Sequence, residues 1–278
     1  MALKVTAAAV VASLCGVEGF MTMSGDAIAP FRAHKALKII SGITNFDSEL
    51  VRKVAVAAQA GGATHLDIAA DPELVKLAKR TAPSVSICVS AIEPELLVPC
   101  VEAGADMVEL GNFDMFYDQG MDFTADDVIT MTKATRALLP KTPLSVTIPH
   151  KLHMDQQVTL AQALQELGVD VIQTEGKYSL DPSAGGLQGV IERAAPALAA
   201  TYAIARAVDI PVMTSSGISE VTASMALAAG ASGVGVGSAV NKLNAQVAMI
   251  AVVRALAIAM DLPAPATMPV EQKASTMA

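Results

Sequence analysis

Residues 210–240 read IPVMTSSGISEVTASMALAAGASGVGVGSAV. A short apolar run from Ile210 ends in Ser215-Ser216-Gly217, and a helix-compatible stretch then closes at Ala229-Gly230-Ala231. A glycine-laced run, Gly233-Val-Gly-Val-Gly237, follows and ends at Ser238. Strand, helix, strand is the unit of parallel β/α architecture. Both strand ends are rich in Gly and Ser, which leaves backbone N–H groups uncovered and able to face an anion. In a (β/α)8 barrel the loops after the seventh and eighth strands are the usual phosphate seat. Ser215, Ser216, Gly217, Gly235, Gly237 and Ser238 are therefore the expected phosphate-binding residues.

Outward from this stretch the same alternation continues. Strands are expected at Lys38–Ile43, His65–Ala69, Ser86–Ser90, Met107–Gly111, Leu144–Ile148 and Val171–Glu175. Asp47 or Ser48 caps a helix that runs to Ala60, Asp71-Pro72 opens the next, and Thr124 caps a later one. Another helix starts at Glu93-Pro94, and the last runs from about Asn244 to Met260. Eight strands alternating with eight helices predict an α/β fold, a (β/α)8 TIM barrel over residues 35–262.

An internal repeat sharpens the prediction. Gly62, Gly104, Gly168 and Gly230 each stand three residues before an inward-facing position of an even-numbered strand, and each fits the left-handed residue that closes a helix. In a barrel, one interior layer takes its side chains from alternate strands. Five residues after each glycine come Asp67, Glu109, Gln173 and Gly235. Seven after come Ala69, Gly111, Glu175 and Gly237, nearer the active face. The intervening positions, such as Leu66, Ile68, Val108, Leu110, Ile172, Val234 and Val236, are apolar and should face the helices.

The barrel interior is thus polar where a purely structural barrel would place Val, Ile or Leu. Two carboxylates in one layer repel, which raises the pKa of one of them unless a cation intervenes. Lys38 is the candidate cation if its side chain points inward. Asp67, Glu109, Glu175, Lys38 and His150 are the expected catalytic residues, because buried carboxylates are what acid–base chemistry uses. The alternative is a buried ion-pair network that plugs the barrel. His150 follows the fifth strand and is a candidate general acid or phosphate contact, the alternative being a loop histidine stacked on Pro149. Ser41, Asn45, Asn112, Thr147 and Gln173 are the expected further ligand contacts. His150 and His153 have a His-x-x-His spacing with no third ligand, so no metal site is expected. No lysine has the interior parity of the sixth strand, which argues against a Schiff-base aldolase.

Composition narrows the classes. The chain has 278 residues, 53% of them hydrophobic, with a net charge of −8 and no tryptophan. No basic cluster offers a nucleic-acid surface, and no apolar run reaches the ~20 residues of a membrane span. Three cysteines without paired spacing fit a reducing compartment. Residues 1–31 read as a targeting presequence: Lys4, the apolar run Val5–Cys15, then small residues around Gly19. Residues 263–278 contain three of the chain's prolines without periodicity and read as a disordered tail.

The segments Ala36–Asp47, Asp67–Lys76, Glu109–Asp114, Gln173–Gly176 and Gly233–Asn241 resemble the family of the hypothetical chloroplast open reading frame twenty-three. The resemblance covers about residues 35–260. It implies an aldolase-type TIM barrel in plastids and no particular reaction. A signal-like segment on a plastid-type protein is similar to the bipartite presequence of algae with complex plastids, which implies import into the chloroplast stroma. Three functions stay open: an enzyme on a small phosphorylated metabolite (lyase, isomerase or synthase), an FMN-dependent oxidoreductase, and a non-catalytic metabolite sensor or assembly factor. For FMN, the sequence offers neither an evident cation for the flavin N1 nor evident room for an isoalloxazine. The expected partner is a small phosphorylated metabolite, with a homo-oligomer left open.

Overall fold

The computed structural model describes residues 26–117, 119–176 and 182–264. Eight strands form the sheet: β1 (Ala36–Ile40), β2 (His65–Ala69), β3 (Ser86–Ala91), β4 (Met107–Leu110), β5 (Leu144–Ile148), β6 (Val171–Thr174), β7 (Val212–Thr214) and β8 (Gly233–Val236). They close in sequence order into a parallel barrel, with Ala36 of β1 paired to Gly233 of β8.

The helices are α1 (Ala29–Arg32), α2 (Ser48–Gly61), α3 (Pro72–Thr81) and α4 (Leu97–Glu102), the last preceded by a 3-10 turn at Pro94–Leu96. Between β4 and β5 lie α5 (Asp114–Tyr117) and α6 (Ala125–Leu138). The remaining helices are α7 (Met154–Glu166), α8 (Gly186–Ile204), α9 (Ala223–Ala228), α10 (Ser238–Asn241) and α11 (Gln246–Ala259).

Local chemistry sets these boundaries. The Asp47 carboxylate accepts from the Glu49 and Leu50 amides, and Asp71 does the same for Glu73 and Leu74. Thr124 and Asp127 form a reciprocal capping box. The four repeat glycines all sit at positive φ, 89° at Gly62, 107° at Gly104, 77° at Gly168 and 108° at Gly230, as the helix-closing role requires. β1 begins two residues earlier than expected and ends at Ile40, because the chain turns away at Gly42, whose φ is 120°. The short helices α5 and α10 have no counterpart in the sequence pattern, being one turn each.

Leu66, Ile68, Val108, Leu110, Ile172, Val234 and Val236 are buried in the shell between barrel and helices, on the face that alternation assigned them. A second apolar cluster fills the barrel's lower end: Ala27, Ile28 and Phe31 pack with Ala36, Cys88, Met107, Val171 and Met213. His65 joins it. Its Nε2 lies 2.8 Å from the Ala27 carbonyl oxygen and its ring centroid 4.7 Å from that of Phe31. Burial pushes the His65 pKa down to about 4, so the ring is neutral.

This plug draws on residues inside the expected presequence 1–31: Ala27, Ile28 and Phe31 are buried against the barrel's lower end. Residues 1–25 and 265–278, with the rest of the presequence and tail expectations, lie outside the described residues. Among the described residues no helix is long and apolar enough to cross a membrane.

Candidate functional site

The even-strand layer is assembled as the repeat implies. Lys38 points inward, and its Nζ donates to Glu109 Oε2 at 2.5 Å, both side chains being fully buried. Ser90 Oγ donates to Asp67 Oδ1 at 2.5 Å. Gln173 Nε2 donates to Glu109 Oε1 at 2.8 Å and to Thr147 Oγ1 at 3.0 Å. Asn112 Nδ2 reaches Asp67 Oδ2 and Glu109 Oε1, both at 3.3 Å. A carboxylate only accepts, so Glu109 fixes which way the Gln173 amide is turned.

The charges divide unequally. Burial pushes the Asp67 pKa up to about 6; the Lys38 ammonium opposes this and the Glu109 carboxylate adds to it. Burial alone would lower Lys38, but Glu109 and Asp67 outweigh it and hold the ammonium above its ordinary range. One cation thus faces two carboxylates, and Asp67 is the one that tends toward neutrality.

Above this layer a cavity of about 910 Å³ opens. Gln173, Asn112 and Glu175 line it, and so do Ser215, Ser216, Gly217, Gly235, Gly237 and Ser238. Ser41 and Asn45 also line it, with Asn45 Nδ2 donating to Ser41 Oγ at 2.8 Å. Asp67, Glu109, Lys38 and Thr147 do not: they lie under the floor that Gln173 and Asn112 make. All four, expected from the sequence as catalytic or ligand contacts, are fully buried at this lower level. Asn112 covers the layer because it sits past the end of β4 at φ 59°, a left-handed backbone that folds its side chain back over Asp67 and Glu109.

The Gly/Ser loops mix ligand-facing and packing roles. Ser216 and Gly217 both have φ near 70°. A Cβ on Gly217 would lie 2.3 Å from the Arg193 carbonyl oxygen, so this glycine is required where the loop crosses α8. A Cβ on Gly235 would lie 2.2 Å from Ser215 Oγ, so its absence makes room for that hydroxyl. Ser215 Oγ is buried and has no hydrogen-bond partner among the described residues. Asn241 Nδ2 donates to the Ile40 and Ser41 carbonyls at 3.0 and 3.1 Å and fastens α10 to the top of β1. Arg193 and Lys242 also line the cavity, and sequence reasoning missed both.

A separate group stands at the tops of β4, β5 and β6. His150 Nδ1 is 3.0 Å from Asp114 Oδ1 and 3.2 Å from Glu175 Oε1. Glu175 Oε1 also accepts from Tyr117 Oη at 2.9 Å and from the His150 amide at 3.1 Å. The His150 ring meets Tyr117 edge-on at 5.0 Å. Burial alone would lower the His150 pKa, but Asp114 and Glu175 outweigh it and push it up to about 9. Burial also raises the Glu175 pKa, with His150 opposing. Asp114, His150 and Glu175 are the described residues grouped closely enough to hold a metal ion, whereas His153 serves as the N-cap of α7. Asp114 and Tyr117 escaped the sequence reading because α5 follows no strand parity.

The family described as "Protein of unknown function (DUF561)" matches residues 23–263. Uncharacterized protein ycf23 of Cyanophora paradoxa is 49% identical over 216 residues, covering 78% of this chain and 88% of that one. Uncharacterized protein ycf23 of Pyropia yezoensis is 40% identical over 230 residues, covering 83% and 84%. Among solved structures, thiamine phosphate pyrophosphorylase from Pyrococcus furiosus is similar with a TM-score of 0.55 at 18% identity, covering 83% of this chain and 97% of that one. A 3-hexulose-6-phosphate synthase gives 0.57 at 15% identity, covering 81% and 99%. At such identities the likeness speaks for the fold, an aldolase-type TIM barrel.

Proposed function

The chain belongs to the DUF561 family, together with the ycf23 proteins, and from that premise we propose that it is an enzyme acting on a small phosphorylated metabolite. The single observation that carries this reading is the mixed lining of the cavity. The Ser215–Gly217 and Gly237–Ser238 loops, with Arg193 and Lys242, line a cationic, amide-rich side suited to a phosphate. Gln173 and Glu175, from β6 and its end next to the β7 loop, are available to the rest of the ligand. The volume lies within the ~300–1,000 Å³ of ordinary small-molecule sites.

Glu175 is the carboxylate of the even-strand repeat that lines the cavity. Buried, with its pKa raised, it is suited to exchange a proton with a ligand carbon or hydroxyl. That chemistry is shared by lyases, isomerases and synthases acting beside a carbonyl. Lys38, Glu109 and Asp67 act from beneath as positioning residues, holding Gln173 and Asn112 in place. The volume removes one objection to FMN, the want of room. Lys38, however, is committed to Glu109 under the floor, so it is not a cation for a flavin ring.

Native mass spectrometry of protein purified without phosphate buffers tests this reading. A co-purified phosphomonoester that Glu175→Gln still binds but no longer converts is the expected result. A flavin spectrum would transfer the reading to FMN chemistry. Absence of any phosphate-bearing ligand, with no binding of inorganic phosphate, would remove it. The proposed location is the plastid, reached through a presequence that ends before the Ala27–Phe31 plug. An intact Met1 on the native protein would refute import by cleavage.

A further inference from the structure

The group at the tops of β4, β5 and β6 holds a mismatch that one proton on the imidazole does not resolve for both of its carboxylates. One imidazole nitrogen, His150 Nδ1, faces two carboxylate oxygens at 3.0 and 3.2 Å and carries at most one hydrogen. Glu175 Oε1 takes the aligned position and also accepts from Tyr117 and the His150 amide. Asp114 Oδ1 is left buried with no aligned donor, on a side chain that is only 10% exposed. An ionised acceptor without a partner in a buried position is costly.

We propose that Asp114, His150 and Glu175 bind a divalent transition-metal ion at the edge of the cavity. Their ligand atoms all lie within 4.8 Å of one another, and they come from the segments that follow three strands, β4, β5 and β6. Ligands at about 2.1 Å from an ion, set at right angles, are about 3.0 Å apart, which matches the two shorter separations. Two carboxylates and a neutral imidazole balance a dication's charge. One nitrogen with two oxygens favours manganese, iron, cobalt or zinc over calcium, which prefers oxygen alone.

The surroundings are built as a supporting shell. Tyr117 Oη holds Glu175, and Ser216 Oγ donates to Asp114 Oδ2 at 3.3 Å. Ser216 also belongs to the candidate phosphate loop, so one hydroxyl links the two halves of the site. Asp114 and Glu175 both line the cavity, which leaves the ion's remaining positions open toward the ligand. There the ion would polarise a carbonyl or hydroxyl oxygen. The inference stands without the phosphate reading, and it revises one part of it: Glu175 acts through the ion.

The test is calorimetric titration of MnCl2 and ZnCl2 into the full chain after removal of metals by chelator, in buffer free of phosphate. One equivalent should bind, and Asp114→Asn or His150→Gln should weaken binding at least tenfold. Tyr117→Phe, which keeps all three ligands, should weaken it 10- to 100-fold. Should a variant fail to fold, the wild-type protein still decides. Substoichiometric Mn²⁺ should broaden the ring resonances of His150 well before those of His34, His65 and His153.

No saturable binding overturns the proposal, as does equal affinity in folded His150→Gln, or broadening centred on His153. Inorganic phosphate is titrated separately. Phosphate binding without metal binding refutes this inference alone, and metal binding without phosphate binding refutes the phosphate reading alone.

Discussion

Replacing Asp67 by asparagine should stabilise this protein at neutral pH and flatten its response to acid. Under the cavity floor one ammonium, Lys38, serves two carboxylates, and Glu109 holds it at 2.5 Å. Asp67 carries the surplus negative charge, and burial lifts its pKa from 3.8 to about 6. Between those values the folded protein keeps a proton that the unfolded chain has released. Stability therefore falls as pH rises across this window, the reverse of a salt-bridged aspartate. A shift of about two units corresponds to at most about 3 kcal/mol, fully expressed above pH 6. Asparagine removes this penalty and keeps the contacts. Its carbonyl can accept from Asn112 Nδ2 while its amide donates to Ser90 Oγ. The bond from Ser90 is already contained in that shift, and an amide that fits the carboxyl's place less closely gives back about 1 kcal/mol. The net expectation at pH 7 is a gain of about 2 kcal/mol, shrinking toward zero by pH 4. Urea unfolding followed by circular dichroism at half-unit steps from pH 4 to 8 reads it directly. Wild-type and variant curves that run parallel, or a variant less stable than wild type at pH 7, would show that Asp67 is ionised and fully paired.

Ser215→Ala should leave stability unchanged or raise it by about 1 kcal/mol, because the hydroxyl is buried without a partner, and should weaken binding of inorganic phosphate; melting and calorimetry together check both signs. Gly217→Ala should cost about 2 kcal/mol or more, since φ is 72° and the new Cβ would lie 2.3 Å from a backbone oxygen of α8; an unchanged melting temperature would contradict the geometry. Phe31→Ala should cost about 3–5 kcal/mol in denaturant unfolding, as for any fully buried aromatic, whereas a targeting segment would tolerate it.

How far the sequence carries can be argued from single residues. Gly62, Gly104, Gly168 and Gly230 mark helix ends by a backbone requirement that glycine meets and other residues resist, so the even strands could be located and their inward positions counted. That count found Asp67, Glu109, Gln173 and Glu175 and separated two depths. Which depth the cavity reaches was not legible. It depends on Asn112, whose left-handed backbone beyond β4 turns an apparent ligand contact into part of the floor. Arg193, Asp114 and Tyr117 were invisible for a related reason. They sit on helices whose placement over the barrel mouth follows from tertiary packing, and no period in the chain records it.

The same distinction explains why the barrel's waist is ionic at all. Replacing a buried ion pair by apolar side chains of similar volume is often neutral or stabilising, so stability does not account for Lys38, Glu109 and Asp67. Orientation does. Glu109 can only accept, which turns the Gln173 amide so that its nitrogen faces down. Asp67 and Glu109 together draw the Asn112 amide nitrogen inward in the same way. An apolar waist would pack as well and would leave both amides free to flip. The cavity floor would then have no fixed pattern of donors and acceptors to offer a ligand. On this account a Lys38→Met, Asp67→Val, Glu109→Leu triple replacement keeps the fold and loses ligand selectivity, and a triple variant that kept both would leave the waist without an explanation.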